Sequence, residues 1–247
     1  MKTNGSMLFF VGLHQPSDAK HFERSFISVN RLRSRKGDFA VADWIMDSGA
    51  FSEIATHGNY RVGVDEYVAQ IERWRKVGNM RAAVTQDWMC EPWIVAKTGK
   101  SVKEHQRLTV ERYDAISSKT TAYVMPVLQG YRIQDYLDHM QDYGDRLTPG
   151  KWIGVGSICK RNSNVAEVED ILLAIKSIRP DLQLHGFGLK TTALRSAAVN
   201  DMLYTADSMA WSYSARKQGR NPNDWREAKA FEEKIANQPQ QLSLWNY

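Results

Sequence analysis

The chain has 247 residues, 43% of them hydrophobic and 25% charged, and its 33 basic and 28 acidic side chains leave a net charge of +5. That balance excludes a disordered or collagen-like polymer, and no run nears the ~18 consecutive apolar residues of a membrane helix. Two cysteines, Cys90 and Cys159, are too few for a disulfide framework or a four-thiolate zinc site; with no cleavage signal after the short apolar run at 7–13, a cytoplasmic protein with no membrane partner is expected.

Taken in chain order, short runs rich in β-branched and aromatic residues read as strands. The first two, 8–12 and 26–30, lead into a basic knot of Arg31, Arg33, Arg35 and Lys36. A third, 44–47, ends in Asp47-Ser48-Gly49-Ala50-Phe51. Residues 64–77 then carry Val64, Tyr67, Val68, Ile71 and Trp74 at steps of three and four, the stripe of an amphipathic helix, with Asp65 in its first turn. Strand 82–86 runs into Gln86-Asp87-Trp88-Met89-Cys90-Glu91-Pro92, helix 102–116 follows, and strand 123–129 ends in Gln129-Gly130. Strand 152–156 closes on Gly154-Val155-Gly156-Ser157. Helix 165–178 is capped by Asn164 and stopped by Pro180. Strands 183–188 and 204–209 bring His185-Gly186-Phe187-Gly188 and Ala206-Asp207-Ser208, and a last helix spans 223–236.

Eight strands alternating with helices predict an α/β fold, a (β/α)8 TIM-type barrel, over residues 1–236, with 237–247 as a tail. A doubly wound sheet is the rival, but neither glycine pair completes the G-x-G-x-x-G phosphate fingerprint. Barrel chemistry belongs at the C-terminal strand ends, which here gather three aspartates, a glutamine and two glycine pairs. Two facing carboxylates can divide into nucleophile and general acid/base for glycosyl transfer. A third carboxylate with a Gln amide and glycine N–H groups can read a guanine edge. No cofactor or metal is expected; His14, His105 and His185 are scattered. The basic knot and the stretch with Arg216, Lys217, Arg220 and Arg226 suit either solvated surface or a polyanion.

At these residues the sequence resembles known enzymes. Asp47-Ser48-Gly49-Ala50-Phe51 is similar to the D-S-G-G-F motif of tRNA-guanine transglycosylases, and Gln129-Gly130 to their V-Q-G. Gly154-Val155-Gly156 resembles their L-A-V-G. Asp207 with Arg216 is similar to their D-C-V-x-P-T-R-x-x-R nucleophile region. The strings Gln86-Asp87-Trp88-Met89-Cys90-Glu91-Pro92-Trp93, Leu184-His185-Gly186-Phe187-Gly188-Leu189-Lys190-Thr191 and Ala206-Asp207-Ser208-Met209-Ala210-Trp211-Ser212 more closely resemble the deazapurine DNA-modification transglycosylases of phages and bacteria, the DpdA family.

That resemblance implies a DNA guanine transglycosylase that exchanges guanine for a free 7-deazaguanine base, such as 7-cyano-7-deazaguanine, and so helps DNA evade restriction. It implies Asp207 as nucleophile, Asp47 as general acid/base, and Asp87, Gln129, the Gly156 N–H, Ser48 and Phe51 as base-binding groups. Arg31, Arg33, Arg35, Lys36, Lys190, Arg216 and Lys217 would hold phosphates. The zinc subdomain of the tRNA enzymes has no counterpart here, Ala50 replaces a motif glycine, and Trp211-Ser212 replaces the proline-threonine. A tRNA-directed enzyme and a non-catalytic nucleic-acid-binding barrel are the alternatives. In the tail, Gln241, Leu242, Leu244 and Trp245 resemble the bacterial sliding-clamp-binding peptide, which implies a replication clamp as partner.

Overall fold

A computed structural model describes residues 7–159, 161 and 164–237; the tail residues Gln241, Leu242, Leu244 and Trp245 lie outside them. In chain order the strands are β1 (Leu8–Leu13), β2 (Arg24–Ser28), β3 (Asp43–Asp47), β4 (Asn79–Val84), β5 (Val124–Met125), β6 (Val127–Leu128), β7 (Trp152–Val155), β8 (Gln183–Gly186) and β9 (Leu203–Ser208). The helices are α1 (Ala50–His57), α2 (Val64–Trp74), α3 (Pro92–Thr98), α4 (Val102–Ser117), α5 (Ile133–Tyr143), α6 (Val165–Ile178), α7 (Thr191–Leu194), α8 (Ala197–Met202), α9 (Ala210–Lys217) and α10 (Trp225–Asn237).

Every strand pair is parallel, in the order β5-β4-β3-β2-β1-β9-β8-β7-β6. The two end strands of that order are consecutive in the chain, divided at Pro126, which has no N–H to give a ladder. Its carbonyl still accepts from Gly154 N–H at 2.8 Å, while Met125 O accepts from Thr85 N–H at 3.1 Å. The fifth predicted strand is therefore one crossing broken by a proline, and the sheet closes there into an α/β TIM-type barrel.

Two apolar layers follow from the strand period of two. Phe10, Ile45, Ala82, Val84, Met125 and Val127 fill the barrel interior. Outward-facing side chains such as Val11, Trp44, Met46, Val155 and Leu184 pack under the helices. The helices present complementary stripes: Tyr67, Val68, Ile71 and Trp74 from α2, and Val168, Ile171, Leu172 and Ile175 from α6. Tyrosines from this layer satisfy strand carbonyls in the wall. Tyr67 Oη donates to Val84 O at 2.6 Å and Tyr136 Oη to Gly156 O at 2.8 Å. Tyr143 Oη lies 3.2 Å from both Val127 N and O, beside the proline break. Burial lifts these phenols well above their ordinary pKa, so they serve as neutral donors.

One step beyond the interior layer, the inward positions change character. Ile45 is followed two residues on by Asp47, Val127 by Gln129, Gly154 by Gly156, and Thr205 by Asp207. The apolar plug thus ends in a polar floor at the C-terminal mouth. Among the described residues no helix is long and apolar enough to cross a membrane.

Candidate active site

The floor divides into two halves. In the first, β3 and β9 bring Asp47 and Asp207 into electrostatic contact. Gly49, at φ +75°, turns the chain so that its N–H donates to Asp47 Oδ2 at 3.0 Å. A side chain there would also meet the Asn30 amide, so both conformation and space demand glycine. Burial pushes the Asp47 carboxyl up to about 6, and the Asp207 charge adds to this against the Gly49 and Ser28 hydrogen bonds. Ser48 is fully buried behind it, its hydroxyl beside Tyr60. Asp207, 5% exposed, accepts on Oδ1 from Gly188 N–H at 3.0 Å and meets His185 Nε2 at 3.3 Å.

In the second half, Gln129 is fixed on all sides. Its N–H donates to His139 Nδ1 at 2.8 Å and its carbonyl accepts from Gln106 Nε2 at 2.8 Å. Its side-chain amide donates to Asp87 Oδ2 and accepts from Ser157 Oγ at 2.7 Å. Ser157 Oγ also lies 2.9 Å from Glu91 Oε2 and accepts from Cys90 N–H at 3.0 Å. Its φ of +55° makes Ser157 the one non-glycine residue in left-handed backbone among the described residues, a strained position at the edge of the site. Burial raises Asp87 to about 7, with Asp47 and Glu91 pushing the same way and Gln129 opposing.

One expectation is corrected here. The Gly156 N–H does not face the pocket as a free donor, because it pairs with Leu128 O at 2.9 Å in the ladder. Glycine is needed at 156 because a Cβ would fall 2.2 Å from Gln129 Nε2. Arg35 is turned into its own loop, donating to Gly37 O at 2.9 Å and Asp38 O at 3.2 Å. Phe51, expected among the base-binding residues, lies on the rim of the site, 47% exposed and edge-on to Trp93 at 6.1 Å.

A cavity of about 600 Å³ opens on the Asp47 side, lined by Arg31, Arg33, Asp47, Phe51, Arg61 and Met209. The two basic stretches converge at its edge on His14, a residue the sequence left among scattered histidines. His14 Nε2 is 2.7 Å from Ser212 Oγ, and Arg31 Nη2 is 3.4 Å from its Nδ1. Burial lowers its pKa, and the charges of Arg31 and Arg216 lower it further. Arg33 pairs with Glu66 at 3.0 Å through Nη1, while its Nε and Nη2 have no partner among the described residues. Lys36, Lys190, Arg216 and Lys217 are exposed, Lys217 lying over the Tyr213 ring at 5.0 Å. Arg220 and Arg226 are paired with Glu227 and Asp224.

The histidines weighed for a metal have separate partners: His105 bonds Met89 O at 2.5 Å and Thr98 Oγ1 at 2.7 Å, and His185 faces Thr205 and Asp207. Among the described residues no three metal-ligating side chains gather.

This mouth carries the motif residues of the resemblance on one floor, and the family described as DeoxyPurine in DNA protein A (DpdA) matches residues 6–229. The chain belongs to the DpdA family. It is a DpdA-type protein of deazapurine DNA modification, with DNA as its substrate, and the site described lies wholly within the matched span. No curated protein matches the chain.

Proposed function

We propose that this DpdA-family enzyme is a DNA guanine transglycosylase that exchanges guanine for a free 7-deazaguanine base through a covalent intermediate on Asp207. The observation that carries this reading is a pair of electrostatically coupled carboxylates held in different ways: Asp207 held at Oδ1 by Gly188 N–H with His185 Nε2 beside it, Asp47 lifted by burial to about 6. A nucleophile needs a fixed, unencumbered oxygen. An acid that must also act as a base needs a pKa near the working pH.

The cycle then balances. A lone pair of Asp207 Oδ2 bonds to C1′ of the target deoxyribose as the C1′–N9 bond breaks. The electron pair leaves on guanine, which takes the Asp47 proton. An incoming 7-deazaguanine returns a proton from N9–H to Asp47 while N9 bonds to C1′ and the C1′–Oδ2 pair reverts to Asp207. Asp87 and Gln129 supply the acceptor and amide that pair with the base edge, and Gly156 leaves the room for Gln129 to do so. The target nucleotide must leave the helical stack to reach this floor. Arg31, Arg33 and Arg216 ring the approach for phosphates, and Phe51 with Trp93 offers aromatic surface to the bases beside the target.

The test is nucleoside mass spectrometry of DNA from cells that express the chain beside a 7-deazaguanine supply, with labelled DNA and tRNA offered side by side in vitro. Deazaguanine nucleoside in DNA is the expected result. Soluble protein with precursor present and DNA unmodified overturns the proposal, and transfer to tRNA alone favours the RNA-directed alternative.

A further inference from the structure

We propose that His185 is a positioning residue for Asp207, its ring hydrogen fixed on Nε2 by a Trp152–Thr205 relay so that Oδ1 is tethered and Oδ2 left to attack. This rests on Asp207 being the nucleophile.

The relay follows from which groups can donate. Trp152 Nε1–H is a donor only and lies 2.8 Å from Thr205 Oγ1. That hydroxyl has a single hydrogen, and its other partner is His185 Nδ1 at 2.8 Å. The hydroxyl oxygen could accept twice, but among the described residues its own hydrogen has no acceptor other than Nδ1, and the Asp207 carboxylate at the far nitrogen can only accept, so the threonine hydrogen turns toward Nδ1. Nδ1 is then an acceptor, and the ring hydrogen belongs on Nε2, the nitrogen 3.3 Å from Asp207 Oδ1.

The sheet dictates this alignment. His185 and Thr205 are register partners across β8 and β9, and Asp207 is the next inward residue of β9. The ring is clamped in orientation, stacked on Phe26 at 5.7 Å and 13°, with Phe187 edge-on at 4.6 Å. It is fully buried, so it reaches substrate only through Asp207. The second tether comes from Gly188, whose left-handed φ of +59° accompanies an N–H aimed at the same Oδ1. Among the described residues no hydrogen bond occupies Oδ2. A carboxylate held at one oxygen loses less rotational freedom when the other attacks C1′, and the tether must persist while Oδ2 is covalently bound.

The experiment compares single-turnover guanine release and adduct formation in the full chain carrying His185→Phe, His185→Gln or Thr205→Val. Affinity for free guanine and thermal melting serve as controls. His185→Phe keeps the aromatic packing and removes the donor; it should slow adduct formation by about 10- to 100-fold and leave free-base affinity within about twofold. His185→Gln, which restores an amide donor near Nε2, should recover most of the rate. Thr205→Val should cost a smaller factor, because the ring then samples both tautomers. In the resting protein, ¹⁵N NMR should show the Nε2–H tautomer of His185, and a mixture in Thr205→Val. A folded His185→Phe that reacts at the wild-type rate, or an Nδ1–H tautomer in the wild type, overturns the proposal. Should the wild type form no adduct at all, the nucleophile reading fails, and the NMR arm, which needs no substrate, still decides the relay.

Discussion

The two mouths of this barrel are made from the same strands and differ in what they leave unsatisfied. At the N-terminal mouth a cavity of about 470 Å³ is lined by Phe10, Tyr123, Trp152 and Tyr204 with Arg81 and Lys151, and by no carboxylate. Its charges are answered locally: Arg81 pairs with Asp43 at 2.7 Å, and Lys151 lies 5.2 Å over the Tyr123 ring. At the C-terminal mouth Asp47 and Asp87 are held far above their ordinary pKa, Ser157 is strained, and Arg33 keeps two nitrogens without partners among the described residues. One end has its charges answered and the other leaves them strained, the pattern expected where stability and chemistry compete for the same positions.

That contrast can be broken from either end. The largest effect belongs to Asp207→Asn, which should lower base exchange by about 10⁴-fold or more, read by release of labelled guanine, with the fold intact. Asp47→Asn should cost about 10²- to 10⁴-fold and, unusually for a loss of function, should stabilise the protein in alkaline solution. The sign follows from linkage. A carboxyl raised to about 6 binds its proton more tightly folded than unfolded, so it costs stability progressively as pH rises from about 4 through 6. The melting temperature of Asp47→Asn should therefore exceed the wild type at pH 8, with the gap shrinking toward pH 5.

At the other mouth Phe10→Ala removes an interior ring that is 2% exposed. It should cost about 3–5 kcal/mol in denaturant titration while exchange per folded molecule is unchanged. A smaller effect should appear in base recognition. Asp87 offers both oxygens as acceptors to guanine only as the carboxylate and is raised to about 7, so free-base affinity should fall as pH drops through 7, and Asp87→Asn should flatten that profile. The smallest change is expected at Arg31→Ala, which should weaken DNA binding and reduce the slope of log affinity against log salt by about one.

The sequence made the barrel and most of its floor legible because strand ends are read locally: Asp47, Gln129 and Asp207 each follow an apolar run by the inward step of two. Helix α6 was bounded correctly by Asn164 and by Pro180 beyond it. What escaped depended on partners distant in sequence. The short helices α1 and α3, directly behind Asp47 and Asp87, are too brief to show a periodic stripe, although Pro92 marks the start of one. The Gly156 N–H looked available because its acceptor, Leu128 O, lies on a neighbouring strand. A run of basic residues does not say which are held locally, and Arg35 is held by its own loop. His185 stands in a strand-end motif string and His14 among scattered histidines, and neither place in the sequence names a partner; only the β8–β9 register and the return of α9 to β1 give them Asp207 and Ser212.

The proposed exchange stands on one step, in which Asp207 carries the sugar. It is tested most directly by quenching the enzyme on guanine-containing DNA and locating the cross-link by peptide mass spectrometry. The expected product is an abasic deoxyribose strand bound to Asp207, absent in Asp207→Asn and chased to product by added 7-deazaguanine. Base exchange with no such adduct, or with the sugar bound to Asp47 or another side chain, would contradict it.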